Sequence, residues 1–268
     1  MQGAKIRTID QKTAYQGIRE KRPRPQRPDA IEYTTATKNA IEESNGTRET
    51  TATIWNSLRR PVLRPRVQQF LYKTIHKAYM IGDRWSDVRG HEQRQLCRTC
   101  NRTESMQHIL LECTINARTI VWEKAKELWP QEWQRWPNIL LGTILGIGQV
   151  SLPENERQQN NEQRRVSTKT RGRTRLLQIL ISEASHLIWV LRCERVIHRE
   201  NREHPDQEVK ARWQRVINDR LTSDRIIATK IKRDKNFTQL VNATWKKPLE
   251  NRGIPHRNWL QRREVFSG

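Results

Sequence analysis

Long apolar runs are missing from this 268-residue chain. Only 34% of its residues are hydrophobic, the mean hydropathy is −0.93, and no stretch of about 18 to 20 apolar residues suited to spanning a bilayer is evident. A transmembrane helix is therefore not expected. The opening segment, MQGAKIRTIDQKTAYQGIREKRPRPQ, is basic but lacks the apolar core of a secretory signal. Cysteine is scarce too. There are four, three of them crowded between positions 97 and 113, which does not suit a disulfide scaffold in a chain of this length. Together these shortages point to an intracellular, reduced protein.

Acidic residues are outnumbered: 29 Asp and Glu face 51 Lys and Arg, a net charge of +22. The excess is spread along the chain, and arginine predominates over lysine. Such a chain is drawn to polyphosphate at low salt, and arginine forks pair with phosphates bidentately and stack on bases. The plainer alternative is a solvated surface of a generally basic protein.

Periodicity predicts a mainly α fold. Residues 1–52 read as a polar, basic linker, largely disordered, with alternating basic residues and prolines from Lys21 to Arg27 and at most a short helix around Lys38 to Glu43. From Arg66 to Ile81, the residues Val67, Phe70, Leu71, Thr74, Ile75, Ala78 and Tyr79 recur at helical spacing, with Gly82 as a stop. Met106 to Leu111, capped by Thr103, and Ala117 to Trp129 read as two more helices. Residues 149–174 form a polar, basic loop expected to be mobile. Beyond it Leu176, Leu177, Leu180, Ala184, Leu187, Ile188, Leu191 and Val196 mark a long helix. A second, from Gln207 to Thr222, follows a corner at Pro205 and Asp206, and the two are expected to pack as a long antiparallel hairpin within residues 175–268. Shorter helices from Asp224 to Lys232 and from Gln239 to Trp245 complete that region, which ends in a basic tail.

Between these parts, residues 53–148 contain the cluster that carries chemistry. LCRTCNRTESMQHILLEC places Cys97 and Cys100 two residues apart, then His108, then Cys113. A CxxC turn sets two thiolates on one side of a loop, and a His and a Cys from the next helix can close a tetrahedron around zinc. Sulfur and imidazole favour zinc over magnesium or calcium. Four protein ligands leave no open position, so one structural zinc is expected. His91 is a competing fourth ligand, should His108 point elsewhere. Cys193, His186 and His198 fall on the long helix and read as packed or surface residues.

The segments TIWNSLRR, QQFLYKTIHKAYMIGDRW, LCRTCNRTESMQHILLEC, VWEKAKELW, LGTILGIG, ILISEASHLIWVLRCERVIHRE and RWQRVINDRLTSDR together resemble the zinc-binding region that follows the ribonuclease H domain in fungal non-LTR retrotransposon reverse transcriptases. The similarity spans roughly residues 53 to 225. The family's pattern of a CxxC, a glutamate-containing turn, and a His and a Cys on a helix falls on Cys97, Cys100, Glu104, His108 and Cys113. The resemblance implies a nucleic-acid-associated module of a mobile element, acting in the nucleus or a ribonucleoprotein particle. The polymerase and ribonuclease H carboxylates would lie upstream of such a segment. Two-metal phosphoryl transfer needs several converging carboxylates, yet the first fifty residues hold only Asp10 and Asp29 as aspartates.

The expected function is thus a non-catalytic zinc module that binds RNA or DNA through phosphates. Candidate contacts are Arg94, Arg98 and Arg102 around the metal loop, and Arg164, Arg165, Lys169, Arg171, Arg173 and Arg175 before the long helix. Trp122, Trp189 and Trp213 fall on apolar stripes and read as core rather than as base-stacking platforms. The alternative is a helical scaffold that docks to polymerase or ribonuclease H domains or to an acidic partner; a vestigial nuclease is the weakest reading.

Overall fold

The computed structural model of the chain describes residues 10–21, 27–154, 166–230 and 235–253. Nine α-helices appear among them: α1 (Gln11–Lys21), α2 (Pro28–Asn45), α3 (Thr51–Ser57), α4 (Pro65–Ile75), α5 (Asn116–Glu127), α6 (Leu141–Leu145), α7 (Thr168–His198), α8 (Asp206–Lys230) and α9 (Lys235–Glu250). No strand forms among the described residues. The expected mainly helical class holds, with the cluster of three cysteines and one histidine embedded among the helices.

The described part of the segment read as a linker is mostly helical, in α1 and α2; residues 1–9 and 22–26 lie outside the described residues. Pro28 opens α2 at a position where its missing N–H costs nothing, and Gly46 closes it in the left-handed conformation, donating its N–H to Glu42 O at 2.8 Å. Ala30, Thr34, Thr37, Ala40 and Ile41 are buried along one face. The threonines satisfy their hydroxyls within the helix, Thr34 on Ala30 O and Thr37 on Tyr33 O, so they pack as small apolar groups. Helix α6 lies against this face. A Cβ on Gly142 would sit 2.5 Å from Ala36 O, and one on Gly146 would sit 2.7 Å from Ile41 Cγ1, so only glycine permits the approach. By contrast α1 buries nothing.

At the centre of the fold is α7, buried on nearly every side from Thr170 to Leu191. Long and apolar enough by composition to cross a bilayer, it is mostly covered by its neighbours, and its apolarity is that of a core helix. The polar loop expected up to residue 174 ends earlier. Ser167 caps α7 by accepting the Thr170 N–H at 3.2 Å, and Arg171, Arg173 and Arg175 lie in its first turns. Helix α8 runs unbroken to Lys230, absorbing the start of the short helix expected from Asp224 to Lys232, whose last two residues lie outside the described residues. Ion pairs near both ends fix the antiparallel sense of α7 and α8: Glu194–Arg212 near the corner and Arg175–Asp224 far from it. Helix α9 packs on the other end of α7, where Gly172 meets Ala243 so closely that an added Cβ would fall 2.5 Å from that residue's carbonyl carbon. One hydrophobic cluster runs through all of this, from Ala30 to Leu249.

Candidate metal centre

The chain enters the centre through a miniature hairpin. Leu96 and Thr103 form an antiparallel bridge; Cys97 N–H donates to Arg102 O, and Asn101 N–H to Cys97 O, each at 2.8 Å. Asn101 takes a left-handed φ of 52°, a conformation asparagine tolerates better than most residues, and so the CxxC loop turns back on itself. Gly82 supports the hairpin from beneath. Its φ is +54°, and a Cβ there would lie 2.0 Å from Glu104 O. It is a cradle for the zinc loop rather than the stop of α4, which ends at Ile75.

The second pair of ligands comes from a π-helical turn, His108–Glu112, in which Cys113 N–H donates to His108 O at 2.7 Å. The wider turn brings residues five apart onto one side. An ordinary α-helix would point them in different directions. Ser105 supplies the cap, its hydroxyl accepting the His108 N–H at 3.0 Å, in place of the expected Thr103. Two residues that sequence pattern does not assign to the site hold the turn from α5. Arg118 donates to Cys113 O and Leu111 O, and the Trp122 indole donates to Leu110 O at 2.8 Å. Carbonyls left over by the irregular turn are thereby satisfied.

Cys97, Cys100, His108 and Cys113 each direct one ligand atom inward, all within 4.8 Å of one another. Cys97 Sγ lies 3.7 Å from Cys113 Sγ, Cys100 Sγ lies 4.0 Å from Cys113 Sγ, and His108 Nε2 lies 3.1 Å from Cys100 Sγ. The sulfurs are too far apart for a disulfide, in which they stand about 2.05 Å apart. They match the edges of a tetrahedron with Zn–S bonds of about 2.3 Å, which are about 3.8 Å long. The donor set fits one zinc ion.

Electrostatics favour a cation here. Burial opposes ionisation of Cys97, but the His108 hydrogen bond and the amides of Cys100 and Thr99 outweigh it and bring that thiol down to about 6. Burial pushes Cys113 the other way, to about 12, and the neighbouring thiols add to the rise. A sulfur cluster this tight cannot become three thiolates on its own, and a divalent ion at its centre supplies the missing charge. His91, the competing ligand, is exposed and packs edge-on to Trp85 at 6.1 Å, outside the group.

Helix α7 grips the zinc loop from the other side. Glu104 is buried and paired with Arg192 through both carboxylate oxygens, and Arg195 reaches Thr99, inside the CxxC loop, at 3.3 Å. Arg94, Arg98 and Arg102 are exposed around the loop. Lys169 and Arg171 are exposed on the first turn of α7, and Arg164 and Arg165 lie outside the described residues. Two of the expected nucleic-acid contacts are buried within the fold. Arg175 is 8% exposed and engages both oxygens of Asp224 at 2.7 Å; Arg173 is equally buried and donates to Thr170 at 2.8 Å. The Arg175 guanidinium serves the junction of α7, α8 and α9, where it also reaches Thr244 and the Trp245 indole donates to Asp224. Trp213 is buried, and Trp122 and Trp189 are half-buried against the core as expected; Trp122 serves the π turn, and Trp189, packed on Phe70 and Tyr79, also lines a cavity beside the metal loop.

Residues 33–122 match the family model described as zinc-binding in reverse transcriptase. The match covers about a third of the chain and contains all four ligands. It begins within α2, in the segment that composition assigns to a linker, and ends at Trp122. No curated protein and no solved structure matches the chain. The zinc-binding domain is an accessory part of reverse transcriptase, not the polymerase itself, in keeping with a centre whose four protein ligands leave no open coordination position.

Proposed function

We propose that this chain is a non-catalytic zinc module that binds nucleic acid mainly through phosphates, derived from the segment downstream of the ribonuclease H domain in a retrotransposon polyprotein. The observation that carries the reading is the pairing of a closed four-ligand centre with Arg94, Arg98 and Arg102, three exposed arginines that ring it and have no carboxylate partner among the described residues. The zinc fixes the loop, and the loop fixes the spacing of the guanidiniums. Phosphate recognition needs that spacing more than it needs any one base contact. A net charge of +22 supplies the long-range attraction. On this reading the module acts within a nuclear or ribonucleoprotein setting, beside polymerase and ribonuclease H domains.

Two measurements on the purified chain test the reading. Atomic absorption is expected to find one zinc per chain, lost in Cys97→Ser and in Cys113→Ser. Log affinity for RNA or DNA is expected to fall linearly with log salt, by about 0.7 to 0.9 per phosphate engaged, and Arg98→Gln combined with Arg102→Gln is expected to shrink that slope. Absence of zinc, or an affinity for nucleic acid indifferent to salt, overturns the proposal. Affinity for a polymerase or ribonuclease H domain that survives about 0.5 M salt, with none for nucleic acid, would instead identify a protein-docking scaffold.

A further inference from the structure

Beside the zinc loop, between the 3-10 turns Gly82–Trp85 and Glu92–Gln95 and the C-terminal half of α7, lies a half-open cavity of about 600 Å³. Three aromatic rings, Tyr79, Trp85 and Trp189, and four arginines, Arg94, Arg98, Arg192 and Arg195, line it together with a single carboxylate, Glu104. Each tryptophan carries a guanidinium beside it: Arg94 stands 5.0 Å from the Trp85 ring centre, and Arg192 stands 5.6 Å from that of Trp189. Glu104 is committed to Arg192, and neither Arg94 nor Arg98 has a carboxylate partner among the described residues.

Arg195 is the decisive group. It is 2% exposed, and among the described residues it makes no ion pair, its Nε has no hydrogen-bond partner, and its guanidinium donates to Thr99 at 3.3 Å. A buried guanidinium without a counter-charge is costly, and its position on the cavity wall gives that cost a purpose if an anion is to be received there. Zinc bound by three thiolates and an imidazole carries one negative charge, which offsets one arginine at most, so the cavity stays positive.

We propose that this cavity binds unpaired nucleotides of a single-stranded nucleic acid, with a base against Trp85 and its phosphate on Arg98 and Arg195, while Trp189, packed on Phe70 and Tyr79, forms the apolar wall behind them. The proposal deepens the phosphate-binding function put forward above and rests on it. Flat rings that hold the π face of any base, interleaved with fixed cations, are what binding of single strands requires. A duplex keeps its bases stacked inside and can reach only the rim. The apolar residues at the mouth, Met80 at 47% and Ile197 at 66% exposure, fit a base edge better than they fit water.

The test uses the zinc-loaded full chain and two fluorescein-labelled probes, a 15-nucleotide oligothymidylate and a 15-base-pair duplex. Trp85→Ala is expected to weaken binding of oligothymidylate about ten-fold, as loss of one stacked base would, with duplex affinity, zinc content and melting temperature unchanged. Ile197→Glu changes a residue already in solvent and, by placing negative charge at the mouth, is expected to weaken binding of the single strand several-fold more than that of the duplex, which reaches only the rim, so a folding defect in the first variant does not block the test. Arg98→Gln is expected to lower the salt slope for the single strand by about 0.7. Equal effects of Trp85→Ala and Ile197→Glu on both probes, or on neither, overturn the cavity assignment while leaving phosphate binding intact. Failure of the parent protein to bind either probe overturns both.

Discussion

His186, on α7, is a residue whose chemistry depends on where the fold puts it. Its ring packs edge-on to Phe70 at 5.7 Å. Burial, helped by the positive charges of Arg66 and Arg64, brings its pKa down from 6.5 to about 4. Native protein therefore keeps this ring neutral through mild acid, while the unfolded chain takes up a proton as pH falls below about 6.5. Stability is lost across the window from 6.5 down to about 4 and is unaffected above it. At pH 5 the loss attributable to this one residue is about 2 kcal/mol. Urea unfolding of zinc-loaded protein at pH 7 and pH 5 is expected to show His186→Gln losing about 2 kcal/mol less than the parent over that interval. Acid release of zinc contributes equally to both proteins and cancels, and equal losses would show that the ring titrates as if exposed. The ligand residues are legible in the sequence because thiol and imidazole spacing is itself chemical information. Arg175 is not. Its charge suggests a phosphate contact, but its partner, Asp224, lies 49 residues away, and nothing local marks that pairing.

At the scale of elements, legibility follows the kind of side chain that is buried. Helices α7 and α8 carry stripes of leucine, isoleucine, valine and tryptophan, and their periodicity identifies them and their antiparallel relation. Helix α2 buries alanine and threonine, which composition counts as weakly apolar or polar, so its inner face resembles a linker. The π turn at His108–Glu112 is equally hidden, because a one-residue widening leaves no mark on hydrophobic period; only the five-residue interval from His108 to Cys113 hints at it. Glycine shows the competition between local preference and tertiary packing. Replacing Gly172 with alanine gains about 1 kcal/mol of helix propensity. The new Cβ, however, would stand 2.5 to 2.6 Å from the backbone and Cβ of Ala243, and forcing apart two packed backbones costs about 1 to 3 kcal/mol or more. Packing outweighs propensity. Gly172→Ala is expected to lower the thermal midpoint of the zinc-loaded chain, whereas Gly17→Ala, with open space around its Cβ position, leaves it unchanged or slightly raised; a rise in both would mean that α7 and α9 do not meet at this glycine.

For the molecule as a whole, the question is whether the metal module stands alone. Composition suggests a unit at residues 53–148, and the family match stops even earlier, at residue 122. The packing runs against such a cut. Glu104, in the metal loop, is buried and paired with Arg192 of α7; Arg195 of the same helix holds the CxxC loop through Thr99; and the glycine face of α6 is shaped to α2. Phe70 of α4 lies against Trp189 and His186 of α7. Cutting at residues 53 and 148 removes both α2 and α7, strips cover from the apolar faces of α4 and α6, and leaves Glu104 without its counter-charge. Zinc supplies up to about 10 to 16 kcal/mol in isolated fingers, enough to hold the hairpin and the π turn around four ligands, but it cannot replace the lost core. Residues 53–148 made alone are therefore expected to bind one zinc, read from cobalt substitution spectra, while melting without a cooperative transition. Residues 28–253, which restore α2 and α7 to α9, are expected to do both. A sharp, zinc-dependent melt of the shorter fragment would mean that the module is an independent domain and that α7 only decorates it.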